Sequence, residues 1–286
     1  MNRLPISAVV LTHNEERNIE DCLKSVCGWI DDIFVVDSGS TDGTLAIVKR
    51  YTDKVYFHPF ETHSKQWKWA LQNTPTRNEW ILGIDADQRI TEELAHEIVN
   101  VFSNVEKTRN VAGFYFKRKQ YFMGRWIKHG GYYPRYLLKL FRKDKVIVDV
   151  NELMDHHFYV QGKTAKFKGD FIEENKNETL DFWSMKHIKY ASLQAQEEVR
   201  GLDTNIIKPS LFGNWDQRRL LMKNIWIRFP LFIRPFIYFL YRYLFRLGFL
   251  DGKEGLIFHY LQGFWYRFLV DTKIYEYRKK LADTHE

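Results

Sequence analysis

The sequence predicts an α/β fold: a mostly parallel, Rossmann-like sheet covered by helices on both faces, followed by a helical, basic and aromatic C-terminal region. Three observations carry this reading. Over the first hundred residues, short apolar runs alternate with longer amphipathic ones. Two of those runs end in small or acidic residues, "VVDSGSTDGT" and "IDADQ". Residues 217–250 contain no Asp or Glu but seven Lys or Arg and ten aromatics. Strands alternating with helices imply right-handed βαβ units, and ligands of such sheets bind beyond the strand C-termini. Both acidic turns should therefore open on one edge.

In chain order, the predicted strands are "ISAVVL", "IFVVD", "KVYFH" and "WILGIDAD", with helices over 15–29, 41–51, 63–73 and 91–105. From about 110 to 172, segments such as "VAGFYFKRKQYF" and "RYLLKLFRK" read as β-rich, and 178–205 reads as helical. The 286 residues, 45% hydrophobic, suffice for one large or two modest domains. We divide them into 1–205, with halves 1–108 and 109–205, and a C-terminal region 206–286. The net charge of +7 favours anionic partners. Cys22 and Cys27 lie on one predicted helix, about 140° apart at ~100° per residue, and share neither disulfide nor metal. The first apolar run is too short for a signal peptide, so a cytoplasmic location is expected. There the sequon at Asn177 reads as chance.

Asp85 and Asp87 follow an apolar strand at i and i+2, a spacing that turns two carboxylates toward one hard cation, Mg²⁺ or Mn²⁺. The competing structural role for Asp87 is to cap the helix beginning near Thr91. Thr12, Asn14 and Glu15 end the first strand with small or polar groups suited to a base or ribose. Asp37, Ser38 and Gly39 end the second, where small residues let a flat ligand approach the backbone. His156 and His157 are adjacent, so they point to opposite sides of an extended chain and make a poor shared metal site.

The segments "LTHNEE", "VVDSGSTDGT" and "GIDADQRIT" resemble the nucleotide-sugar domain of family 2 glycosyltransferases of the GT-A fold. With "GRWIKHGGYYPRYLLKLFRK" and "LGFLDGKEGL", the order is similar to bacterial lipopolysaccharide-core β-glycosyltransferases. The resemblance implies that Thr12, Asn14, Glu15, Asp37, Ser38, Gly39 and Asp85 bind a nucleoside diphosphate sugar, UDP-linked, with Asp37 accepting from the uracil ring. Asp85 and Asp87 would hold the cation. Lys68 falls where relatives carry a diphosphate- or sugar-contacting run, here Gln66, Trp67 and Lys68. Glu152 inherits the general-base role, with Asn151 where relatives have His; Asp149 and Asp155 are the other candidates. The implied reaction is inverting transfer to a lipopolysaccharide-core or lipid-linked saccharide.

The C-terminal stretch has no uncharged run near the ~18 residues a spanning helix requires. From Phe236 a helix would place Ile237, Leu240, Leu244 and Leu247 on one face and Arg242 with Arg246 opposite. The expected contact is an anionic membrane surface, the inner face of the cell membrane, reached through Arg234, Arg242 and Arg246. The competing role for that apolar face is ordinary core. Three other functions fit less well. Nucleotidyl transfer to sugar phosphates wants a Gly-rich basic loop after strand one, where "LTHNEE" is acidic. A degenerate glycan-binding scaffold is opposed by the retained Asp85 and Asp87. Nucleic-acid binding is opposed by basic residues set among Phe and Ile.

Overall fold

The structure is a computed structural model that describes residues 3–154, 156–177, 179–201, 208–213 and 215–283. Contacts divide the chain into two units. Met1–Trp126, Tyr133–Asn151 and Asp155–Asn177 form the first; Ile127–Tyr132, Glu152–Met154 and Glu178–Glu286 form the second.

The first unit opens with β1 (Leu4–Thr12), α1 (Ile19–Cys27), β2 (Ile30–Asp37), α2 (Thr44–Val48), β3 (Val55–Phe57), α3 (His63–Asn73) and β4 (Trp80–Asp85). β2, β1 and β4 are neighbours, and β3 flanks β2; all these pairings are parallel. Each central strand is apolar on both faces. Ile6, Ala8 and Val10 of β1 enter one core, and Val9 and Leu11 enter the other. This double burial reads in sequence as an unbroken apolar run. On α1, Ile19, Cys22, Leu23 and Val26 form the stripe that closes on the sheet.

The unit continues with β5 (Gln88–Ile90), α4 (Glu92–Phe102), α5 (Val105–Thr108), β6 (Gly113–Phe122), β7 (Arg125–Trp126), β8 (Arg135–Arg142), β9 (Val146–Val148), β10 (Phe158–Val160) and β11 (Thr164–Glu173). The main sheet runs β3-β2-β1-β4-β8-β6-β11-β5. β8 is antiparallel to both β4 and β6, whereas β6 and β11 are parallel. Gly83 of β4 has a physical reason: a Cβ there would meet the Phe158 ring at 2.9 Å.

The second unit contains α6 (Leu180–Arg200), α7 (Trp215–Ile227), α8 (Arg234–Leu240), α9 (Gly252–Phe258) and α10 (Tyr266–Asp283). α6, which the sequence reading grouped with the first domain, packs Ala191 and Ala195 against Tyr266, Val270 and Ile274 of α10. Among the described residues, no helix is long and apolar enough to cross a membrane.

The arginine assignments need correction. Arg234 is 1% exposed, with Nε donating to Asp271 Oδ1 at 2.7 Å and Nη2 to Glu198 Oε2 at 2.8 Å. It is an internal strut rather than a membrane contact, because a guanidinium taken out of water requires paired carboxylates. The regular helix ends at Leu240 and a π-helical turn over Tyr241–Phe245 resets its phase. Arg242 consequently turns inward, donating to Gly130 O at 2.7 Å between the Tyr132 and Tyr238 rings. Arg246 remains exposed. Ile237, Leu240, Leu244 and Leu247 are each nearly half exposed and Phe245 is 78% exposed, so they do not form ordinary core.

Candidate active site

Parallel register brings the three strand ends level. Thr12 pairs with Asp37, and Leu11 pairs with Asp85. The first turn is folded by its own polar groups. Asn14, at φ 53°, donates its amide to Ser40 Oγ at 2.8 Å, and its side-chain oxygen accepts from Thr41 N at 2.8 Å. Glu15 accepts from Asn18 Nδ2 at 2.5 Å. The sequon residue Asn177 is also spent here, its Nδ2 donating to Asn14 O at 3.0 Å. Thr12 is buried, and its hydroxyl has no hydrogen-bond partner among the described residues.

Asp37 is buried, and its carboxylate closes the second turn. Oδ2 accepts from Gly39 N and Ser40 N at 2.8 and 2.9 Å, and Oδ1 accepts from Ser40 Oγ at 2.5 Å. Gly39 sits at φ +94°, where a side chain would be strained. Ser38 Oγ accepts from Gln66 Nε2 at 3.0 Å. Gln66, the first residue of the run the resemblance singled out, is therefore the buried α3 residue that reaches this turn. Lys68 lies on the exposed side of α3, because Trp67 and Ala70 claim the core-facing side. Its assignment to the nucleotide-sugar site is not supported by its position.

Asp85 ends β4 with three basic groups around it. Its Oδ1 lies 3.1 Å from His63 Nε2 and its Oδ2 lies 3.5 Å from Lys139 Nζ. Ligand atoms of His63, Asp85 and His156 all fall within 4.8 Å of one another. Desolvation works against ionisation of Asp85, but the Lys139 ammonium, and after it His63, overrule that and hold its carboxyl far below the usual carboxylate range. Asp87 is half-buried and is not the helix cap, since Thr91 caps α4 by accepting from Leu94 N at 3.3 Å. Two imidazoles and a carboxylate, with Asp87 two residues on, make a mixed nitrogen and oxygen donor set that fits a divalent cation.

Sequence reasoning missed His63, Lys139 and His156. His63 is the first residue of α3 after its Thr62 cap, at the strand-end edge where ligands collect; that position was the available signal. His156 turns to the His63 ring, 4.2 Å between centroids, whereas His157 lies beside Tyr159. The adjacent pair thus splits as expected, but its first member joins the acidic site. Glu152 belongs to the second unit, where the Leu153 and Met154 amides that follow it donate to Glu197 Oε1. Asp149 is buried and accepts from Asn151 N at 2.9 Å, a turn-forming role. Asp155 lies outside the described residues.

Residues 7–165, more than half of the chain, match glycosyl transferase family 2. The chain belongs to that family. This family 2 glycosyltransferase is 27% identical over 282 residues to the lipopolysaccharide core biosynthesis glycosyltransferase LpsC of Rhizobium meliloti (strain 1021), covering 96% of this chain and 93% of the relative. It is 38% identical over 107 residues to an uncharacterized glycosyltransferase of Rickettsia bellii, covering 37% of this chain and 36% of that one. Among solved structures, it is similar to S. aureus TarS 1–349, with a TM-score of 0.45 and 15% identity over 96% of this chain and 91% of that one. The glycosyltransferase is an enzyme with the mixed α/β GT-A fold: a parallel half joined through β8 to a second half of mixed strands.

Proposed function

We propose that this enzyme transfers a sugar, with inversion, from a UDP-sugar to a lipopolysaccharide-core or lipid-linked saccharide at the inner face of the cell membrane. The observation that carries the reading is the level alignment of Thr12, Asp37 and Asp85, with His63 and His156 gathered on Asp85. The unpartnered Thr12 hydroxyl, the glycine turn at Gly39 and the Asn14–Glu15 segment offer a flat, polar seat for the nucleotide. Asp85 and Asp87, with His63 and His156, would hold the cation. Bound there, a divalent cation supplies Lewis-acid neutralisation of the diphosphate as it leaves.

The acceptor hydroxyl oxygen attacks the anomeric carbon while the bond from that carbon to the diphosphate oxygen breaks, taking its electron pair with it. A single displacement inverts the configuration. Glu152 takes the hydroxyl proton as general base. The likeness to a lipopolysaccharide core glycosyltransferase over nearly the whole chain supports the acceptor class. For the membrane, support comes from the exposed Leu240, Leu244, Phe245 and Leu247 beside the exposed cations Arg246 and Lys253. The test is a hydrolysis screen of UDP-, GDP- and dTDP-sugars with and without Mn²⁺. Mn²⁺-dependent turnover of a UDP-sugar is expected. Turnover of none by folded protein would favour the degenerate scaffold instead.

A further inference from the structure

On the face of the sheet that carries Tyr115 in its core, β6 changes character within two residues. Tyr115 is buried among apolar side chains, but Lys117 and Lys119, the next residues on that face, are lysines on a strand hydrogen-bonded on both sides. Lysine is seldom half-buried on a central strand without a purpose, since its ammonium must be paired. Here one carboxylate serves both: Asp170 Oδ1 lies 3.6 Å from Lys117 Nζ, and Asp170 Oδ2 lies 3.0 Å from Lys119 Nζ. The cross-strand row is Tyr136 on β8, Lys117 on β6 and Asp170 on β11. Lys166 on β11, exposed, adds a third ammonium over the Tyr136 ring at 4.5 Å.

Aromatic rings accompany every cation. Lys117 lies 5.5 Å from the Tyr133 ring centre and Lys119 lies 5.1 Å from that of Trp126, and these two rings meet edge to face at 5.0 Å. The Tyr133 hydroxyl donates to Asp170 Oδ1 at 3.0 Å, fixing the ring. Two ammonium groups therefore flank one carboxylate and a third lies over the Tyr136 ring, among three half-buried rings. Lys139 of β8 reaches Asp85. With strands spaced about 4.8 Å apart and β8 between them, β6 lies roughly 10 Å from β4 across the sheet.

We propose that Lys117, Lys119 and Lys166, with Trp126, Tyr133 and Tyr136, form the acceptor subsite and that it takes an anionic saccharide, bearing carboxylate or phosphate groups. This deepens the transferase reading above and rests on it. Aromatic faces receive the apolar C–H faces of sugar rings, which explains rings beside lysines better than a phosphate-only site does. Lysines act as point charges for carboxylate or phosphate and set no fixed fork geometry, which tolerates either group.

The probe is fluorescently labelled, alkali-deacylated lipopolysaccharide core, measured by polarisation with the full chain. It is used intact, after phosphatase, after reduction of its carboxyl groups, and after both treatments. Binding by the intact probe, weakened at least ten-fold by the double treatment, is expected; the single treatments tell phosphate from carboxylate. Lys119→Gln with Lys166→Glu should weaken the intact probe at least ten-fold, leave the doubly treated probe unchanged, and hold UDP affinity in Mn²⁺ within two-fold. No binding of the intact probe, equal binding of the neutral one, or wild-type binding by the double variant overturns the proposal. A parallel fall in UDP affinity also overturns it, by giving the lysines to the donor. Probe binding by a wild type that binds no UDP would sink the transferase reading and leave the saccharide site standing.

Discussion

Asp85 carries a charge that its surroundings have already balanced, with Lys139 on one oxygen and His63 on the other. Removing the ammonium leaves a largely enclosed carboxylate with less compensation. Lys139→Met should therefore lower unfolding stability by about 2 kcal/mol, read from the denaturant midpoint, and Mn²⁺ should restore part of it. An unchanged midpoint would mean that the 3.5 Å pair contributes nothing. Lys68, exposed on α3, gives the contrasting expectation: Lys68→Ala should leave the Kd for UDP within two-fold, whereas a ten-fold rise would return the residue to the site. For the base, Glu152→Gln should retain UDP affinity and lose turnover, because the proton acceptor acts only as the acceptor hydroxyl attacks. If Asp149→Asn does this instead, the buried turn residue holds the role.

At the scale of elements, the parallel half was legible because each βαβ unit writes itself locally. β1, β2 and β4 are apolar on both faces, and the α1 stripe recurs at helical spacing. The placement of Lys139 and His156 was not legible. They reach Asp85 through an antiparallel strand and the segment before β10, from 54 and 71 residues away, and no local period marks such a meeting. The π-helical turn at Tyr241–Phe245 was equally hidden; it moved Arg242 from the expected outer face to a seat between two tyrosines. The second unit also gains an acid sensitivity. Burial pulls the imidazoles of His187 and His259 down to about 4, and His259 is fully enclosed beside Asp251, Arg242 and His129, with neither ring nitrogen hydrogen-bonded among the described residues. A folded-state value below the unfolded one means that the unfolded chain binds the proton first, so stability is full above about pH 6.5 and falls toward pH 4. At pH 5 the cost is about 2 kcal/mol per histidine. His259→Gln should flatten that acid limb in thermal melts followed from pH 7 to pH 5; an unaltered limb would contradict the assignment.

For the whole molecule, the burial of Arg234 and the inward turn of Arg242 change what a membrane test should substitute. Replacing Arg242 by an acid would break a structural clamp on Gly130, so loss of binding would be uninformative. Phe245 and Leu244 project outward, and Leu244→Asp with Phe245→Asp should release the protein from anionic liposomes without unfolding it. Undiminished sedimentation would assign that surface to another partner. The central claim is narrower: a cation at the end of β4 joins the protein to a nucleoside diphosphate. Isothermal titration of UDP into wild type and Asp87→Ala, each with and without Mn²⁺, tests it most directly. UDP should bind wild type at least ten-fold more tightly with Mn²⁺, and Asp87→Ala should lose that gain while melting as the wild type does. Equal Mn²⁺ enhancement in both proteins would contradict the account.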